Sequence, residues 1–209
     1  MSKNQLLILS HHILFLIGIL IYDLDPYWAI GLVIVSIVWA RVINGQIMHQ
    51  HFAHKTYRDG IINYILTFVV LFTSISSVLS FVASHRQHHK FYDTEKDPHS
   101  PMYIGRLNVY FLNWKHQRIS PNLFRDIATS KFQKFMNQYW VLLHLIIIGI
   151  LAIINPIIVC FGISLVVVTT FHLAGLGNVV GHLNGEPRNS PELILTHGSA
   201  WKHADHHQI

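Results

Sequence analysis

A single cysteine in 209 residues, Cys160, has no partner in the chain, which excludes a scaffold built on internal disulfides. Charge is scarce as well. Lys, Arg, Asp and Glu make up 12% of the sequence, about half the share of an ordinary soluble domain. Hydrophobic residues reach 51%, so there is ample apolar surface to bury and intrinsic disorder is excluded. The net charge of +5 is thinly spread and not gathered in a polar domain, which argues against a nucleic-acid binder. With a mean hydropathy of +0.37, the class that is left is an integral membrane protein. No internal repeat and no low-complexity tract is visible.

Five apolar stretches are present: Leu6–Tyr22, Tyr27–Ile43, Ile61–Ala83, Tyr139–Ile154 and Ile157–Gly177. A hydrocarbon core about 30 Å thick needs about 20 helical residues. The first stretch lacks a small-residue cleavage site and is followed at once by another, so it is not a signal peptide. Asp23-Leu24-Asp25-Pro26 and Asn155-Pro156 read as turns, which makes each flanking pair a helical hairpin. All Lys and Arg residues lie outside these turns. The positive-inside rule therefore puts both turns outside and the basic segments in the cytoplasm. Two cytoplasmic termini leave no room for Ile61–Ala83 to cross. Its polar residues Asn63, Thr67, Ser74, Ser77, Ser80 and Ser84 fall near one helical face, read as a small-residue packing face. The expected fold is an all-α membrane protein. It has four spans in two hairpins (about 6–22, 27–43, 137–154 and 157–177), one non-spanning apolar helix and a cytoplasmic histidine-rich cap from 44–136 and 178–209. The whole chain, 1–209, reads as one domain.

Seventeen histidines are present, and most are clustered. His49, His51 and His54 form the first cluster. His85, His88 and His89 form the second, and His203, His206 and His207 the third. The last two share the pattern H-x-x-H-H, which on a helix puts three imidazoles on one face. Two such faces on different helices make opposed halves of a metal cage, and His182, just beyond the last span, can join them. His11, His12, His144 and His172 sit within apolar stretches and read as packing or hydrogen-bonded residues. His99 and His116 read as loop or surface residues. About nine imidazoles are too many for one ion, and no thiolate is near, so two ions of a redox-capable metal fit better than structural zinc. Asp93, Asp97 and Asp205 are candidates to offset the charge of such a site through the histidines. In the first cluster, His51 and His54 share an α-helical face. His49 and His54, five apart, lie about 140° apart around an α-helix. Spacing alone leaves this choice open.

In combination these motifs resemble the membrane fatty acid desaturases, in particular the group acting at Δ9 on acyl-CoA or acyl-lipid. That family carries H-x4-H, H-x-x-H-H and H-x-x-H-H, matched by His49…His54, His85-x-x-His88-His89 and His203-x-x-His206-His207. The flank HRQHHKFYDTEKDPHSP, from His85 to Pro101, is similar to the family's. So is Asn178-x3-His182, where the family's histidine is a ligand and its asparagine holds a metal-bound water. The resemblance covers residues 44 to 207 and selects His49 and His54 over His51. Departures are Gln50 and Lys55 where the family usually has Arg, His197-Gly198-Ser199 in place of Trp-Gly-Glu, and Ala204 in place of Asn. No fused cytochrome b5 domain is visible.

The resemblance implies two iron ions, O2 as co-substrate, a long fatty acyl substrate in the bilayer and a separate electron donor of ferredoxin or cytochrome b5 type. It implies a bacterial inner membrane or endoplasmic reticulum protein with its site in the cytoplasm. Alternatives are a diiron hydroxylase or other oxygenase of a lipid or hydrocarbon, and a truncated metal-binding paralogue without turnover. A metal transporter would need ligands at mid-membrane, whereas these clusters lie beyond the spans. The last three histidines fall within the final seven residues, so metal is expected to order the chain from about Ser190 onward. Single-cysteine labelling, with Cys160 replaced, tests the topology. Asp23–Pro26 should react only from the non-cytoplasmic side and His85–Pro101 only from the cytoplasm. Labelling of both from one side contradicts the four-span reading.

Overall fold

The computed structural model of the chain describes residues 2–73, 75–112, 119–182, 186–187 and 189. His203, His206, His207, Asp205 and His116 lie outside the described residues, within which every element is helical. Helix α1 (Lys3–Ile21) opens on a reciprocal cap: the Gln5 N–H donates to Ser2 Oγ and the Ser2 N–H to Gln5 Oε1. Helix α2 (Pro26–Arg41) opens on Asp25, whose Oδ1 accepts the Tyr27 N–H at 2.9 Å. Pro26 occupies the first turn, where its missing N–H costs nothing. Then come α3 (Ile61–Thr73), α4 (Val78–Phe91) and three short helices, α5 (Pro101–Ile104), α6 (Arg106–Tyr110) and α7 (Arg125–Ala128). Helix α8 (Lys131–Ile154) and helix α9 (Leu165–Gly181) close the fold, with a π-helical stretch, Ile158–Ser164, leading into α9.

Among the described residues, four helices are long and apolar enough to cross a membrane: Lys3–Ile21, Pro26–Ala53, Lys131–Ile154 and Ile158–Gly181. The first three turn large apolar side chains outward, Leu20, Trp28 and Ile153 among them. Such an area is at home only in lipid or another apolar surround. The fourth is mostly buried and packs against α1 and α2. At Gly175 a side chain would run into the Tyr110 carbonyl, so the glycine lets α6 lie directly on α9. Two helices extend past the apolar runs that mark them in the sequence. The second continues beyond residue 43 in π-helical winding, Val42–Ala53. Asn44 and Gln46 end the hydrophobic run without breaking the helix. The third begins at Lys131 on an N-cap from Ser130.

The stretch 61–83, expected as one helix, is two. Helices α3 and α4 meet at 91°, and Ser77 caps the new start by accepting the Ser80 N–H. At 13 residues, α3 is about 20 Å long, too short to span alone. The bend exposes helix-end carbonyls deep in the protein, where each must find a donor. Helix α8 supplies much of the support. Asn137 Oδ1 accepts from the hydroxyls of Ser77 and Ser80, and His144 Nδ1 lies 2.6 Å from Leu71 O. Trp39 of α2 donates to Thr73 Oγ1. The polar face seen in the sequence is thus divided. Asn63 contacts His51, Thr67 accepts from Gln133, and Ser77 and Ser80 serve the bend. Ser74 lies outside the described residues.

The four histidines within the spans are hydrogen-bonded, and carbonyl ends fix their tautomers. His144 must donate from Nδ1 to Leu71 O, so its Nε2 accepts from His11 Nε2 at 2.8 Å. His11 Nδ1 then accepts from Ser164 Oγ at 2.9 Å. The second chain has the same logic. His12 donates from Nδ1 to Ile8 O, its Nε2 accepts from His172 at 3.2 Å, and His172 Nδ1 accepts from the Tyr110 hydroxyl. His144→Leu fills similar space but strands Leu71 O and His11 Nε2–H. Each orphaned group costs about 1–3 kcal/mol. We expect clearly reduced stability in detergent unfolding. Unchanged stability would show that these bonds do not hold the bend.

Candidate metal centre

The first histidine cluster sits where the second long helix ends, in π-helical winding. The His54 N–H bonds to His49 O at 3.2 Å, an i→i+5 bond. Five residues make roughly one π-helical turn, so His49 and His54 come together on one face, their rings edge to face with centroids 4.7 Å apart. His51 points elsewhere and meets Asn63 Oδ1 at 2.6 Å.

Helix α4 presents the second cluster. His85 and His89, one turn apart, face His49 and His54. One nitrogen from each of these four rings lies within 4.8 Å of the others. His54 Nε2 and His85 Nε2 approach to 3.1 Å. Burial, then the neighbouring imidazoles of His49, His89 and His54, push His85 well below the ordinary histidine range. A neutral ring with a lone pair is what a metal requires.

His88 faces a second partner. Its Nε2 lies 3.2 Å from Nε2 of His182, which follows the last turn of α9. Each ring has its other nitrogen held by a carboxylate. His88 Nδ1 is 2.8 Å from Asp97 Oδ2, and His182 Nδ1 is 2.8 Å from Asp93 Oδ2. A carboxylate behind an imidazole fixes the tautomer and strengthens the opposite nitrogen as a ligand. The loop carrying both acids is itself pinned. Asp93 adopts a left-handed conformation (φ 54), which aspartate tolerates better than most residues. Its N–H donates to Asp97 Oδ2, the His99 N–H donates to Asp97 Oδ1, and Ser100 Oγ donates to Asp93 Oδ1. Burial raises the Asp97 carboxyl to about 6, against these N–H donors.

The structure therefore brings together His49, His54, His85 and His89 in one group, and His88 and His182 in another with Asp97 and Asp93 behind them. Asn178 lies on α9 one turn before His182. His203, His206, His207 and Asp205 lie outside the described residues. His99 is a loop residue, in the turn after α4, but it is buried and not on the surface, and it stacks on His88 with centroids 4.1 Å apart. The small, tight loop after α4 tucks it under the ring. Iron fits this donor set, since imidazole is a good ligand for it and the rings converge. Missed by the sequence reading is Arg86, between His85 and His88. It bonds to the backbone of the first cluster and to Asp126. A charged residue inside a half-buried box was the available signal.

The sequence pattern of the fatty acid desaturase family matches residues 26–208. The chain belongs to that family. Over 76% of its length it is 25% identical to a palmitoyl-monogalactosyldiacylglycerol delta-7 desaturase of Arabidopsis thaliana, covering 47% of that protein. Over the same share it is 25% identical to delta-9 acyl-lipid desaturase 2 of that plant and 24% identical to the sn-1 stearoyl-lipid 9-desaturase of Synechocystis sp. (strain ATCC 27184 / PCC 6803 / Kazusa), covering 57% and 54% of them. The chain spans about half the length of the curated relatives it matches.

Substitution separates the two candidates in the first cluster. His49→Ala should release metal from the purified protein and His51→Ala should not. Asp97→Ala should weaken metal retention about 10–100-fold through His88. Metal analysis after dialysis against a chelator reads all three. Loss on His51→Ala with retention on His49→Ala would reverse the assignment.

Proposed function

We propose that this protein is an O2-dependent desaturase that introduces a double bond into a long fatty acyl chain, Δ9-type, carried as acyl-CoA or acyl-lipid. The observation that carries the reading is the pair of histidine groups converging at the ends of α2, α4 and α9. Family membership and desaturase relatives support it. In this reading two iron ions are held by His49, His54, His85, His88, His89, His182, His203, His206 and His207, with Asn178 acting through water. Such iron supplies the oxidising chemistry that no side chain can perform on an unactivated methylene.

The chain's own residues do the rest. The imidazoles stay neutral and aimed. Asp93 and Asp97 keep the Nδ1 protons of His182 and His88 away from the metal side. The spans hold the acyl chain among apolar side chains and keep bulk water out. The balance is one CH2–CH2 unit, O2, two electrons and two protons giving one CH=CH unit and two waters. A separate donor of ferredoxin or cytochrome b5 type supplies the electrons. The active site faces the cytoplasm, as the placement of Lys and Arg indicates, and residues 1–209 act as one domain.

Membranes of cells expressing the chain, given an electron donor, should yield a new monounsaturated fatty acid that disappears in His88→Ala. A hydroxylated product would move the protein to a lipid hydroxylase. No product despite bound metal would leave a metal-binding paralogue.

A further inference from the structure

His54 is the most exposed of the four residues in the first metal group. It falls at the end of the π-helical segment, at the C-cap, and its side chain is exposed, whereas His49 is buried. Its own N–H is tied to His49 O, but neither burial nor a continuing helix fixes the backbone beyond it. The carbonyls at such a helix end lack partners within the helix and must find donors elsewhere.

One side chain supplies them. Arg86 Nε donates to Ala53 O at 2.8 Å, and Nη2 donates to Lys55 O at 2.9 Å and Phe52 O at 3.4 Å. Its remaining bonds run to Leu123 O and to both oxygens of Asp126, at 2.6 and 3.1 Å. Asp126, delivered by α7, completes the enclosure from the other side: its Oδ2 accepts the Tyr57 N–H at 2.7 Å. Residues 52, 53, 55 and 57 are thus all bonded to this one ion pair, and His54 is in their midst. Arg86 also neighbours His85, the ring that His54 Nε2 approaches. The planar fork of a guanidinium suits several fixed acceptors at once, and an ammonium does not reproduce it.

We propose that Arg86 and Asp126 are a positioning pair that holds His54 against His85, and so governs the first metal position selectively. The second position, at His88 and His182, has its own supports in Asp97 and Asp93 and does not depend on the pair. The inference rests on the reading of the four imidazoles as a metal site.

The test compares wild type, Arg86→Lys and Asp126→Asn in detergent or nanodiscs, each loaded with iron and challenged with a chelator. Wild type should hold two ions. Arg86→Lys should keep one ion at wild-type retention and hold the other about 10–100-fold more weakly, with helical content unchanged. Asp126→Asn should shift the same ion less, because Arg86 keeps its carbonyl bonds. A readout without metal accompanies this. Amide exchange over residues 52–58 should quicken in both variants, while exchange in α4 stays as in wild type. Arg86→Lys holding both ions normally, losing both in step, or showing unchanged exchange over 52–58 would overturn the proposal. If Arg86→Lys does not fold, Asp126→Asn is judged by the same criteria. A wild-type chain that binds no iron would overturn the site itself, and the exchange result would still score the clamp.

Discussion

An imidazole has two nitrogens, and the one the protein occupies decides what the other can do. This constraint runs through the whole structure. At His88 and His182 a carboxylate takes Nδ1, so Nε2 is turned inward toward the metal position. In the spans, carbonyls take Nδ1 of His144 and His12, and their Nε2 atoms accept from His11 and His172. The same residue type thus serves as candidate ligand outside the bilayer core and as cross-brace within it. What each ring's nitrogens meet separates the two roles.

The braces matter to the centre because the second histidine box stands on a broken helix. Helix α4 starts at a bend that hydrocarbon would not tolerate without donors and acceptors nearby. Helix α8 provides them through Asn137 and His144, and Ser164 extends the chain through His11. From there α4 carries His85, His88 and His89 toward α9 and the end of the second long helix. Each histidine group therefore draws on at least two helices, so membrane packing and metal geometry are coupled. Arg86 and Asp126 add a further tie, from α4 and α7 to the backbone around His54.

Much of this was legible in the sequence because hydrophobic length and histidine spacing are local properties. Four apolar runs and two turns free of Lys and Arg suffice for the spans. H-x-x-H-H places three rings on one face of any α-helix. The pair His49 and His54 was not legible from spacing, because five residues make a turn only in a π-helix, and nothing in Val42–Ala53 announces that winding. The bend between α3 and α4 was hidden for a similar reason: Ser77 and Ser80, which look like part of a packing face, act as cap and hydrogen-bond donors once α8 is alongside. His99 looked like a loop residue because its burial depends on the turn made by Asp93 and Asp97. The role of Arg86 depends on residues more than 30 positions away in both directions, which no local pattern reveals.

The central claim is that these histidines form a two-metal centre of imidazole ligands. Iron analysis of the purified wild-type protein, together with X-ray absorption at the iron edge, tests it most directly. The account predicts two iron ions per chain with shells dominated by imidazole nitrogen. A single ion per chain, or shells dominated by carboxylate oxygen, would contradict it.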